Sequence, residues 1–191
     1  MSSIIDYLDF GSIANLAGTS KKMHELIYGN SALLKYVLAN KFGRPEHFNA
    51  LSHEHLRIYL QTAIKYFSLV ATIKTSSPPK TRFVSIVNIA VQGWHKIMGG
   101  KAASNERNQV VERIIFDPAL NRSMFDLVTF CVENDLPILL KFIVNSHGKY
   151  FMPLLLSFNS FFDNQKDALS YRILEKISVL YLSALRKIQS L

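Results

Sequence analysis

Residues 4–38 read IIDYLDFGSIANLAGTSKKMHELIYGNSALLKYVL, and this stretch decides how the chain begins. Apolar residues recur at three- and four-residue spacing in three or four short runs, separated by turns of two to four residues. Ile4, Ile5 and Leu8 share one face of the first run, and Ile13 and Leu16 one face of the second. Met23, Leu26 and Ile27 follow on the third. A Tyr7-Leu8-Asp9 step closes the first run, and Thr19-Ser20-Lys21 opens the third.

Beyond this stretch every segment also reads as helix. In His53–Ile73, the residues Leu56, Tyr59, Leu60, Ala63, Phe67 and Val70 form a broad apolar stripe, with Ser52 as its N-cap. The segment KTSSPPKT, residues 74–81, ends that helix, because paired prolines cannot continue it, and it makes the best linker. Phe83–Met98 is the next helix and stops at Gly99-Gly100. Asn108–Phe116 ends at Asp117-Pro118, Ser123–Glu133 and Leu136–Asn145 form a tight pair, and Asp167–Ser190 closes the chain. No segment sustains two-residue alternation and no Asn-Gly or Asp-Gly hairpin signal occurs, so the expected fold class is all-α. The expected organisation is a small module over 1–44, a long helix and linker over 45–81, and a helical domain over 82–191.

Composition fits a compact binding protein. Apolar residues make up 49% of the 191 and charged residues 19%, enough apolar surface for a core and against disorder. The single cysteine cannot form an internal disulfide, and the opening MSSIIDYLDF has neither the basic nor the long apolar region of a secretory signal. The longest uncharged apolar runs, such as Tyr66–Ile73, reach about half of the ~18–20 residues a membrane span needs. These features lead to the expectation of a cytoplasmic protein without a transmembrane segment.

Charge is unevenly spread. The net charge is +8, and no acidic residue lies between Glu54 and Glu106. Arg57, Lys65, Lys74, Lys80, Arg82, Lys96 and Lys101 fall in that interval. Spaced-out basic residues of this kind read first as a solvated face, and such a field also suits an acidic partner protein, an anionic membrane or nucleic acid. Zinc-finger, RNA-binding strand and helix-turn-helix patterns are missing, which counts against nucleic acid.

The order and spacing of the N-terminal runs resemble the F-box, a helical module that binds a Skp-family adaptor and so joins a cullin–RING ubiquitin ligase. Tyr7-Leu8-Asp9 resembles the end of the family's first conserved helix, and Thr19-Ser20-Lys21 the turn before the next. Asn30-Ser31-Ala32-Leu33-Leu34-Lys35 resembles its closing segment, with Leu34 where the family usually carries tryptophan. The usual Leu-Pro start has no counterpart before Ile4. The resemblance implies adaptor contacts at Ile4, Ile5, Leu8, Ile13, Leu16, Met23 and Leu34.

Residues 128–144, VTFCVENDLPILLKFIV, with the Asn145-Ser146-His147-Gly148 exit, resemble the helix–turn–helix of an ankyrin repeat. Here Asp135 is expected to cap the second helix and Cys131 to lie in the core between the pair. Weaker echoes at Val87–Val91 with Val110–Phe116, and at Met152-Pro153-Leu154 with Ile173–Ile177, depart from the ~33-residue ankyrin period. An irregular helical bundle with antiparallel pairs is the other reading. Either arrangement gives a grooved surface suited to holding a protein. Together the two resemblances imply a layout similar to F-box effectors of intracellular pathogens, acting in the cytosol of a host cell.

Nothing enzymatic stands out: Gly-x-Ser-x-Gly, a phosphate-binding glycine loop and His-Glu-x-x-His are all missing. His47, His53 and His55 cluster, but without a neighbouring cysteine or a carboxylate beyond Glu54 they read as a polar loop and helix start, with His53 and Glu54 facing solvent. No catalytic residue, metal ligand or cofactor is expected. The expected function is a non-enzymatic substrate receptor, with Trp94, Lys80, Arg82, Lys96 and Lys101 at the cargo site. The alternatives are a protein-binding scaffold without a ligase, or a basic helical protein for nucleic acid or anionic membrane.

Overall fold

The computed structural model describes residues 8–75, 106–147, 151–158, 161, 172 and 175–179. These residues are all-α, with no strand among them. By its internal packing the chain divides into 1–68 and 69–191.

In the first unit, successive helices start where a short polar side chain can turn back onto the backbone. Asp9, in extended conformation, opens α1 (Phe10–Gly18), its carboxylate accepting from the Ser12 N–H at 2.6 Å. That bond also holds the Asp9 carboxyl below its ordinary pKa. Ser20 opens α2 (Lys21–Tyr28) by accepting from the Met23 N–H at 3.2 Å. Asn30 opens α3 (Ser31–Phe42) in the same way through the Leu33 N–H. The three caps satisfy amides that would otherwise lack partners. Two glycines end helices for different reasons. Gly29 follows α2 where any Cβ would collide with the Glu25 carbonyl, and Gly43 ends α3 at a left-handed φ of 67°. A short α4 (Pro45–Asn49) with proline in its first turn leads to α5 (His53–Thr75). Ser52 caps α5 as expected, accepting from the His55 N–H at 3.2 Å.

Aromatic packing joins these helices. Phe10 of α1 stacks on Phe67 of α5 with ring centroids 4.8 Å apart, and lies 5.7 Å from Phe42 of α3. Phe48 of α4 meets Tyr59 of α5 edge-on at 5.3 Å. Leu34, Leu38, Phe48, Leu56, Tyr59 and Leu60 are fully buried. The expected module covers 1–44; in the structure α4 and most of α5 share one core with α1–α3. The packing boundary, Ser68/Leu69, falls inside a continuous helix rather than at the Pro78-Pro79 segment.

The second unit contains α6 (Glu106–Phe116), α7 (Pro118–Glu133), α8 (Pro137–His147) and α9 (Phe151–Ser157). Helix α6 packs against α7, α8 and α9, and α7 against α8. The Arg113 guanidinium of α6 donates to the Ile73 and Lys74 carbonyls, which satisfies the C-terminal end of α5. Helix α7 begins earlier than the expected Ser123. Asp117 accepts from both the Ala119 and Leu120 amides, and Pro118 fits the first turn. Buried Asn121 ties α7 to α9 by donating to Ser157 Oγ at 2.7 Å. Among the expected helices, Phe83–Met98 lies outside the described residues, as does most of Asp167–Ser190.

Asp135 is not the N-cap the sequence suggested. It adopts φ 50° in the chain reversal after α7. The Leu136 N–H reaches back to the Cys131 carbonyl at 2.8 Å, and the Asp135 N–H to Val132 at 3.4 Å. This is the left-handed helix stop usually made with glycine. Because Pro137 takes the first position of α8, Leu136 precedes that helix, and its carbonyl accepts from the Leu140 N–H. A β-branched residue tolerates this φ poorly. Asp135→Val is therefore expected to lower stability by about 1–2 kcal/mol, and Asp135→Asn to be near neutral. Urea unfolding of the three proteins checks the order.

Candidate functional site

The first candidate surface is on α1–α3. Of the expected adaptor contacts, Ile4 and Ile5 lie outside the described residues. Leu8, Leu16 and Met23 are half-buried. Ile13 and Leu34 are 2% and 0% exposed, within the same core as Ala17, Ile27, Val37 and Leu38, and so present no surface to a partner. The spacing had placed them on apolar faces, and the helices turn those faces inward.

Other apolar side chains remain outside. Leu26 on α2 is 38% exposed and Tyr36 on α3 is 39% exposed. Half-buried Met23 lies three residues before Leu26, and half-buried Leu33 three before Tyr36, so each pair shares a face of its helix. Tyr36 was not among the residues singled out by sequence. Its signal was available in the Leu33-to-Tyr36 spacing, but spacing alone cannot tell an outer stripe from an inner one.

The expected cargo residues Lys80, Arg82, Trp94, Lys96 and Lys101 lie outside the described residues. Within the acid-free interval, Arg57 Nη1 approaches Glu54 Oε2 at 3.4 Å, and Lys65 and Lys74 are exposed.

The histidine cluster serves packing. His47 Nε2 lies 3.2 Å from the hydroxyl of buried Tyr59, and the His55 ring is 5.7 Å from the same tyrosine. His53 does not simply face solvent: it is half-buried and its Nδ1 lies 2.8 Å from Ser31 Oγ, linking the start of α5 to the start of α3. Glu54 is exposed. Among the described residues no group of three or more His, Cys, Asp or Glu side chains could hold a metal ion.

Cys131 is 1% exposed on α7, and burial pushes its thiol from the ordinary 9.0 up to about 12. The thiolate is the nucleophilic form, so this thiol is inert near neutrality. The shift also ties stability to pH. The unfolded thiol ionises first, so the contribution is fully present below pH 9.0 and is lost as pH rises toward about 12. Within that window the slope is about 1.4 kcal/mol per pH unit. Labelling of Cys131 in native buffer is expected to be slow until denaturant is added, and Cys131→Ala is expected to flatten the alkaline loss of stability. Rapid native labelling, or an unchanged pH slope in the variant, would contradict this assignment.

No family model, curated protein or solved structure matches the chain.

Proposed function

We propose that this protein works by binding other proteins, and that its N-terminal helical unit docks a Skp-family adaptor, so that the remainder of the chain carries a target to a cullin–RING ubiquitin ligase. The observation that carries this reading is the exposure of large apolar side chains, Leu26 and Tyr36, on the short helices whose order resembles the F-box. An apolar side chain left on a small helical unit has its best use in a partner's groove, where a few central anchors supply most of the affinity. The docking residues are Leu26 and Tyr36, with half-buried Met23, Leu16 and Leu33 beside them on their helices. Ile13 and Leu34 support this surface from below rather than touching the partner. In this reading the basic residues Lys80, Arg82, Lys96 and Lys101, with Trp94, meet an acidic target, and the compartment is the cytosol, that of a host cell if the chain is a pathogen effector.

A second reading is a helical protein-binding scaffold without a ligase. The burial of Ile13 and Leu34 favours it, because part of the apolar pattern that resembles the F-box is spent on the protein's own core.

Titration of the full chain with a purified Skp-family adaptor separates the two. The ligase reading expects a complex that Leu26→Asp with Tyr36→Ala weakens about thirtyfold or more, the loss typical of interface anchors. Circular dichroism verifies that the variant is folded, so that lost binding is read on a helical protein. Absence of a complex with the parent protein would leave the scaffold reading.

A further inference from the structure

The corner between α2 and α3 places a nucleophilic hydroxyl beside basic side chains of α5. Ser31, the first residue of α3, is exposed, and so are Gly29, Asn30 and Ala32 around it. An enzyme therefore has access to the hydroxyl. Its Oγ lies 2.8 Å from Nδ1 of half-buried His53. Arg57 stands four residues further along α5, one turn away on the same face as His53. Tyr28, three residues before Ser31, ties Arg57 to the same corner: burial pushes the Tyr28 hydroxyl pKa up, and the Arg57 cation opposes that rise.

Arg57 is only partly matched. Its Nη1 approaches Glu54 Oε2 at 3.4 Å, while its Nε is buried and has no hydrogen-bond partner among the described residues. A buried donor left unmatched costs free energy, and native structures seldom leave one without a use. The acceptor that completes a guanidinium best is an anion with several oxygens, because its five donors form a fixed fork.

We propose that Ser31 is a phosphorylation site and that His53 and Arg57 hold the phosphate. A protein kinase transfers the γ-phosphoryl group of ATP. A bond forms between Ser31 Oγ and the γ-phosphorus, the bond from that phosphorus to the β,γ-bridging oxygen breaks, ADP leaves, and the hydroxyl proton passes to solvent. The product carries a charge of about −1.5 to −2 and three strong acceptor oxygens. His53 then donates from Nδ1 to a phosphate oxygen in place of its contact with Oγ, and Arg57 gains the acceptor that its Nε lacks. The link between the start of α3 and the start of α5 changes from a single hydrogen bond to several charge-assisted ones. The modification thus fastens the helix that carries Tyr36, whatever partner docks there.

The test uses the full chain with phosphoserine installed in place of Ser31 by stop-codon suppression, observed by phosphorus NMR. The second pKa of a phosphoserine is about 6 in an unstructured chain, and cations beside it favour the dianion. In the folded protein that pKa is expected about one unit lower than in urea, a tenfold loss of proton affinity. His53→Gln and Arg57→Gln are each expected to return it part of the way, and the double variant all of it, with circular dichroism verifying that each variant is folded. The unmodified chain, incubated with ATP and a eukaryotic cytosolic extract, is expected to carry phosphate on Ser31 by mass spectrometry. An identical titration in the folded protein and in urea would overturn the proposal, as would a shift that neither substitution moves, or an extract that leaves Ser31 unmodified. Covalent labelling of Ser31 in the native chain by a fluorophosphonate would overturn it in favour of a hydrolytic serine.

Discussion

The stack of Phe10 on Phe67 is the constraint on which the first unit rests. It pins the first residue of α1 to a point well along α5, and so sets the span that α2, α3 and α4 must bridge. Helices of eight to twelve residues are marginal alone and hold only when an apolar face is covered. The capping side chains of Asp9, Ser20 and Asn30 set where each begins, but the aromatic contacts through Phe42, Phe48 and Tyr59 decide which faces turn inward. That choice separates Ile13 and Leu34, which became core, from Leu26 and Tyr36, which became surface.

The second unit depends on chain reversal together with aromatic contacts of Phe125, whose ring lies 5.5 Å from that of Phe158 and 5.0 Å from that of Phe161. The turn at Asp135 lets α7 and α8 fold back on each other, burying Met124, Val128, Leu139 and Ile143 completely. The same turn closes on the Cys131 carbonyl, which accepts from the Leu136 N–H, and the Cys131 side chain is buried. Arg113 adds a connection of another kind, its guanidinium meeting the negative end of the α5 dipole at the Ile73 and Lys74 carbonyls.

Much of the helical plan was legible in the sequence, because capping is a local matter. Ser52 and the Thr19-Ser20-Lys21 step are read correctly from neighbouring residues alone. The Glu133-Asn134-Asp135 turn was legible as a turn, but not in its geometry. An aspartate two residues before proline looks like a cap, and only the bond from the Leu136 amide to the Cys131 carbonyl reveals a left-handed stop. The unit boundary was illegible for a different reason. Pro78-Pro79 is conspicuous in composition, whereas the change of partners at Ser68/Leu69 occurs along an uninterrupted helix that carries no mark of it. The candidate surface was half legible: periodicity finds an apolar face, while the neighbours that cover it are set by distant parts of the chain.

The central claim is that a Skp-family adaptor docks on the N-terminal helices. Hydrogen–deuterium exchange of the full chain, with and without saturating purified adaptor, tests it most directly because it reports every segment together. The account expects slower exchange across Lys21–Tyr28 and Ser31–Phe42, with Pro118–Glu133 and Pro137–His147 unchanged. Identical exchange across α2 and α3 in the presence and absence of adaptor would contradict it.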